Sequence, residues 1–483
     1  MPSSLPTAHH LLPFIALWPL FGVMVTYATR GKTTGVISLL VVGVNLLAVS
    51  CLTLAYLSGP LTVTHNVGGW APPLGIRLMV DGFSLLMLWI AAITTFGSVL
   101  YSMAYFREHN PLYWPLVLSA LAGFNALVIS GDLFTIYIAI EMLTFAAVGL
   151  AGWGGHNTSR RAALRYLFTS ALGSMCYVLG VSLLYLEYEL LDVAILLHKI
   201  HPSPLTWAAC SAISLGLMIK AALFPFHFWL PATHASAVSP VSALLSGMIV
   251  KAPIYVLVRL WTGLALFTDF QIWLTLFAVL GAGAVLWAGY QAVVATRIKH
   301  LIAYSTVAQI GYVFLALSLI TDKHDALPLS ALYFFLLSHA LAKAALFLAA
   351  GTIVKAAGRD DLKGLTGAAT HLPLALGAIA LAGVSLIGLP PSGGFIGKWM
   401  LLANIIDKGL WWMVAVIFMG TLAAAAYVYR MISLAFDRSG EQFKKAHWKP
   451  VPMALQMVPM SLALLAIAIG FFAPPLSDFF LRS

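Results

Sequence analysis

Apolar runs long enough to cross a bilayer recur from Leu11 almost to the end of the sequence, with short polar punctuation between them. A transmembrane helix needs about 20 such residues, because the hydrocarbon core is about 30 Å thick. By that measure the 483 residues hold fourteen segments, near 11–29, 35–57, 78–101, 111–130, 133–153, 162–186, 206–229, 237–262, 269–295, 300–320, 327–354, 372–402, 410–435 and 451–473. The alternation of apolar and polar residues that a β-barrel needs is not found. The predicted fold is therefore an all-α polytopic membrane protein of about 14 transmembrane helices. Only 9% of residues are charged, against about 25% in a soluble domain.

The net charge of +10 does not point to nucleic acid, because the cations are sorted by loop. Call the face reached after the first helix side A. Sixteen Lys and Arg fall there, among them Arg30, Lys32, Arg107, Arg160, Arg161, Arg165, Arg297, Lys299, Lys355 and the Lys444–Lys449 run, against six on side B. The positive-inside rule puts side A in the cytoplasm, with both termini outside and the chain multi-pass in the cell membrane. Cys51, Cys176 and Cys210 lie in or near apolar segments without CxxC spacing or His partners, so no disulfide framework, metal or cofactor is expected. The first segment lacks a basic leader and a small-residue cleavage site and is read as a retained helix.

Two segments carry interruptions. Lys220-Ala-Ala-Leu-Phe-Pro225 breaks the seventh and Gly388-Leu-Pro-Pro-Ser-Gly-Gly394 the twelfth. Proline removes a backbone donor, and at membrane depth such breaks persist only where protein or a water-lined cavity satisfies the freed groups. Paired breaks five segments apart predict two inverted five-helix repeats around a transport path; the plainer alternative is a packing kink. The expected organisation is one integral membrane domain, 1–483. Helices one to three occupy 1–110, the first repeat (helices 4–8) 111–262, the second (helices 9–13) 269–435, and the last helix 451–483.

Five charges sit inside the apolar runs: Glu141, Lys220, Lys251, Lys343 and Lys398. Each costs about 3 kcal/mol on insertion scales, and such residues by default mark ion pathways. Apolar surroundings favour the neutral form of any ionisable group, and a nearby opposite charge restores the charged form. Lys220 is the natural partner for Glu141, either as a switchable pair or as a static bridge fixing helix packing. Lys251 lies too far from either helix end to snorkel. His227 and His234 bracket the turn between the seventh and eighth segments, as proton carriers or plain turn residues. His339 and Lys343 are four apart, on one helix face; the alternative for His339 is a satisfied core histidine. Lys398 follows the second break, where it is either a terminal site near the outer surface or a snorkelling side chain. Asp81 and Asp132 read as caps or loop contacts, and Arg160, Arg161 and Arg165 as topology signals.

The stretches Lys220-Ala-Ala-Leu-Phe-Pro-Phe-His-Phe-Trp-Leu-Pro-Ala-Thr-His234, Ser239-Pro-Val-Ser-Ala-Leu-Leu, Ser338-His-Ala-Leu-Ala-Lys-Ala-Ala-Leu-Phe-Leu and Gly388-Leu-Pro-Pro-Ser-Gly-Gly-Phe-Ile-Gly-Lys398 resemble one family. It is that of the proton-conducting, antiporter-like subunits of respiratory complex I, membrane-bound hydrogenases and Mrp-type cation/proton antiporters. Trp70-Ala-Pro-Pro-Leu-Gly-Ile and Leu78-Met-Val-Asp-Gly-Phe-Ser look most similar to the D subunit of the Mrp type. The short run after the fourteenth segment sets the chain apart from the L-type complex I subunit. Lysine at 398 departs from the M-type, and Ser392-Gly393 is less typical of the Mrp D subunit. The resemblance implies a gating pair of Glu141 with Lys220, Lys251 as central relay, His339 beside it, and Lys398 as terminal proton site.

The expected function is a proton-translocating subunit of a multisubunit Na+ or K+/proton antiporter. Its expected partners are other membrane subunits, the bilayer, protons and the coupling cation. A proton-pumping subunit of a redox complex and a membrane anchor for a peripheral catalytic partner are the alternatives. No nucleotide-binding motif appears in the required context, so the driving energy comes from an ion gradient or a partner.

Overall fold

The structure, a computed structural model, describes residues 8–29, 31, 33–59, 61–106, 111–264, 271–321, 325–437 and 448–481. Of the basic loop residues, Arg30, Lys32, Arg107, Lys323, Arg438, Lys444, Lys445 and Arg482 lie outside these, as does His447 of the last side-A loop.

Among the described residues, eleven helices are long and apolar enough to cross a membrane: α1 (His9–Thr29), α2 (Thr34–Ser58), α3 (Gly82–Tyr105), α5 (Leu133–Gly152), α6 (Asn157–Tyr188), α8 (Ser239–Leu264), α9 (Gln271–Val294), α10 (Ile298–Leu317), α11 (Ala326–Ala357), α13 (Trp411–Phe436) and α14 (Ala454–Phe480). Three shorter apolar helices fill the other predicted segments: α4 (Tyr113–Ile129), α7a (Pro204–Lys220) and α12a (Pro373–Ile387). The seventh and twelfth segments resume as α7b (Trp229–Ser236) and α12b (Gly393–Asp407). Both therefore break where proline interrupts them. The starts follow ordinary capping chemistry. Asp132 caps α5 through the Thr135 N–H at 2.7 Å, and Ser392 caps α12b through Phe395.

Burial separates the helices into an inner and an outer set. The apolar windows of α8 and α11 are wholly enclosed by protein, whereas only 28% of the α1 window is. A helix that is hydrophobic all round belongs in the interior. α11 fills that place, packing against α3, α8, α10, both halves of α12, and α14. α6 and α7a approach closely: a Cβ at Gly216 would lie 2.3 Å from the Gly173 carbonyl oxygen. Small residues permit that contact, and it sets the hydroxyls of α6 against Lys220.

One local feature departs from the sequence reading. The third segment begins at Gly82, not near 78, because residues before it form a strand. β1 (Val63–Asn66) and β2 (Arg77–Val80) pair antiparallel, Val63 opposite Val80 and Asn66 opposite Arg77. This hairpin ties three side-B loops together. The Gly131 N–H donates to the Arg77 carbonyl at 2.9 Å, and the Arg77 guanidinium forms a short ion pair with Asp192.

Candidate functional site

The break in the seventh segment makes the first cluster. Lys220 is the last residue of α7a, and its Nζ lies 3.0 Å from Glu141 Oε1 on α5. The same ammonium donates to Ser170 Oγ at 2.9 Å and Thr144 Oγ1 at 3.2 Å. Its three donors thus have three acceptors. Ser174 donates a short hydrogen bond to Glu141 Oε1. The lysine is enclosed, while 19% of the Glu141 side chain is exposed, so the pair has a buried cation and an anion nearer the flank. The Trp229 indole N–H donates to the Ile219 carbonyl at 3.1 Å, satisfying an acceptor released at the helix end.

The second cluster is built on α8, α10 and α11. Lys251 and Lys343 are completely buried. Just before Lys251, α8 widens into one π-helical turn, Leu245–Ile249, a distortion frequent at functional sites. Lys251 Nζ donates a short hydrogen bond to the Ser246 carbonyl within that turn. Ser246 Oγ meets Thr306 Oγ1 at 3.0 Å, and Thr306 donates to the Ile302 carbonyl at 3.1 Å. Lys343 Nζ reaches the same carbonyl at 3.0 Å and makes a short hydrogen bond to Ser305 Oγ. Two buried ammonium groups are thereby linked through one helix, α10.

Lys398 forms the third cluster, at the second break. Its Nζ donates to the carbonyls of Leu386 (3.2 Å) and Ile387 (2.7 Å), at the end of α12a, and to Thr421 Oγ1 (3.2 Å). It lies 4.8 Å from the centre of the Tyr312 ring. Gln309 of α10 donates to the same Leu386 carbonyl at 3.1 Å. Ile302, Ser305, Thr306 and Gln309 share one face of α10, at spacings of three, four and seven, and that face joins the second cluster to the third. Lys398 is buried, 4% exposed; snorkelling to the surface is excluded.

The histidines divide. His339 lies one turn before Lys343 on α11, within the field of Lys251 and Lys343. His234, on α7b, is fully buried and stacks on Phe347 of α11 with centroids 4.4 Å apart. It sits within the field of Lys251, Lys299 and Lys343. Neither ring nitrogen of His234, nor Nε2 of His339, has a hydrogen-bond partner among the described residues. His227 is in the turn after the break, its ring facing Phe224 and Tyr304. Among the described residues no hydrogen bond joins the Lys220 cluster to Lys251; the helix α7b with His234 stands between these two parts of the sequence.

Asp81 is a cap, accepting from the Ser84 N–H at 2.9 Å, and a bidentate partner of Arg259 at 2.5 and 2.6 Å. Among the described residues no group of three His, Cys, Asp or Glu side chains is placed to hold a metal ion. The connecting residues Ser170, Ser174, Ser246, Ser305, Thr306 and Gln309 were not singled out from sequence. The one signal for them is the polar stripe at 305, 306 and 309 inside an apolar segment.

Residues 130–423 match the model of the NADH:quinone oxidoreductase/Mrp antiporter transmembrane family. The chain belongs to this family. It is 33% identical over 399 residues to the NADH-quinone oxidoreductase subunit N of Desulforudis audaxviator, covering 80% of this chain and 78% of that one. It is 26% identical to the D subunit of the Na(+)/H(+) antiporter of Alkalihalophilus pseudofirmus, covering 98% of this chain and 95% of that one. A chain in the structure of the Mrp complex from Dietzia shares the fold, with a TM-score of 0.88 at 24% identity, covering 99% of this chain and 97% of that chain.

Proposed function

We propose that this chain is the proton-translocating subunit of a multisubunit Na+ or K+/proton antiporter complex. Protons pass along Glu141, Lys220, Lys251, His339, Lys343 and Lys398, with His227 and His234 on the segment between Lys220 and Lys251. The observation that carries this reading is the row of four enclosed lysines, two of them joined by the hydroxyls and carbonyls of α8 and α10. Full burial of several ammonium groups with mostly neutral acceptors is costly and serves no packing need that leucine would not meet. The relative from the Na(+)/H(+) antiporter, matched along nearly all of this chain, supports the antiporter reading, and its name as one subunit supports other membrane subunits as partners. The two interrupted helices support a pair of inverted repeats over 111–262 and 269–435. The positive-inside rule places side A in the cytoplasm and both termini outside the cell membrane.

The test is sodium- or potassium-dependent proton exchange in inverted vesicles. Lys251→Ala abolishes exchange while the complex still assembles; unchanged exchange removes the central relay. A second reading, the pump arm of a redox complex, is supported by the NADH-quinone oxidoreductase relative. Mild-detergent extraction and mass spectrometry separate the two. Small hydrophobic antiporter subunits co-purify in the first case, and iron–sulfur or quinone-site subunits in the second.

A further inference from the structure

We propose that a cleft at the side-A ends of α6, α7b and α10 binds a phosphate group, and that its position favours the headgroup of an anionic phospholipid. The cleft encloses about 350 Å³ and is lined by Thr158, Arg161 and Arg165 of α6, Ser236 of α7b, and Arg297 and His300 at the start of α10. Arg161 and Arg165 are four apart, so both project from one side of α6.

Charge balance and placement together mark this place. Among the described residues, Arg160, Lys363 and Lys449 also have no carboxylate partner but lie outside the cleft, and several other side-A cations are already engaged. Arg297 is paired with Asp360 and Arg359 with Asp361. Arg430 holds the carbonyls of Val293 and Ala295, Lys299 that of Ala237 and Lys355 that of Tyr105. Among the described residues, Arg161 and Arg165 have no carboxylate partner. The cleft therefore holds two uncompensated guanidinium groups, which stay charged and match phosphate oxygens bidentately.

Two further features point the same way. Thr158 is the second residue of α6, and Arg297 is the cap residue of α10. The positive ends of two long helices thus border one cleft. Both ends also lie where spanning helices meet the membrane interface. Basic pockets between helices at that depth suit anionic headgroups.

An occupant here ties together elements of both proposed repeats. α6 carries Ser170 and Ser174 of the Lys220 cluster, α7b carries His234, and α10 carries Ser305 and Thr306 of the Lys251–Lys343 cluster.

The experiment places the protein, in its purified complex, in nanodiscs of phosphatidylcholine with or without phosphatidylglycerol. Bound lipid is read by native mass spectrometry. Wild type retains phosphatidylglycerol selectively, and retention weakens as salt rises. Arg161→Gln with Arg165→Gln weakens retention at least ten-fold, and Arg161→Lys with Arg165→Lys keeps part of it. Arg160→Gln removes one charge from α6 outside the cleft, against two in the Gln variant, and leaves retention unchanged. Inorganic phosphate is a separate arm: if it raises the thermal stability of wild type in phosphatidylcholine discs and not of the Gln variant, the site takes free phosphate. Equal phosphatidylglycerol retention by wild type and the Gln variant, without protection by phosphate, overturns the proposal. An equal loss in Arg160→Gln also overturns it, by reducing the effect to general surface charge.

Discussion

The two interrupted helices hold their lysines in opposite ways. At the first break Lys220 is held by side chains, a carboxylate and two hydroxyls, while the released Ile219 carbonyl accepts from the Trp229 indole. At the second break Lys398 itself takes the released carbonyls, with Thr421 and the Tyr312 face beside it and no carboxylate partner among the described residues. The first arrangement separates two tasks, stabilising the break and holding the charge; the second assigns both to one side chain. A proton leaving Lys220 strands a negative charge on Glu141. A proton leaving Lys398 strands none.

The contrast can be broken by substitution. The largest effect is expected for Lys220→Met, which leaves Glu141 with Ser174 alone. Removing one member of a buried pair costs about 3 kcal/mol, seen as an earlier unfolding midpoint in detergent by tryptophan fluorescence. Adding Glu141→Gln should recover part of that loss; a double variant no more stable than the single means that the pair is not what holds the break. Next comes Gly388→Ala. Gly388 has φ of +82°, and a Cβ there would lie 2.6 Å from Lys398 Cδ. Left-handed backbone is strained for alanine, so a loss of about 2 kcal/mol is expected, together with slower proton exchange because the lysine stem is displaced. The smallest effect is expected for Trp229→Phe, which removes the indole donor and leaves the Ile219 carbonyl with the Ala222 N–H at 3.2 Å, a loss of about 1 kcal/mol, with exchange largely retained. Exchange lost as completely as in Lys220→Met would show that the break and the charge are not separate tasks after all.

Each of the fourteen predicted segments falls on an apolar helix, eleven of them of spanning length among the described residues; they were legible because long apolar runs carry their own signal, and both breaks because proline does. The Glu141–Lys220 juxtaposition was legible because a lone carboxylate among apolar residues demands a partner. The hydroxyls that complete each cluster were not. Serine and threonine in membrane helices ordinarily donate to the carbonyl four residues back, as Ser38, Thr94 and Ser102 do here. A hydroxyl alone therefore says nothing until neighbouring helices are in place. The β1–β2 hairpin was missed for a related reason: four residues per strand is too short a run to stand out beside segments of twenty. Arg161 and Arg165 were fully accounted for by topology in the sequence, and only the cleft between α6 and α10 gives them a second use.

The 32 residues of α11 measure about 48 Å, well beyond the thickness of the hydrocarbon core, and its central stretch meets protein on every side. Such a rod behaves as an axle rather than a piston. It has no lipid to slide against, and any tilt would be resisted by all of its neighbours at once. His339 and Lys343 are fixed to it, so on the proposed relay they keep their depth in the membrane. On the proposed relay, alternation between the two faces falls to the parts with slack, namely the short half-helices and the rotamers of the four long lysine stems.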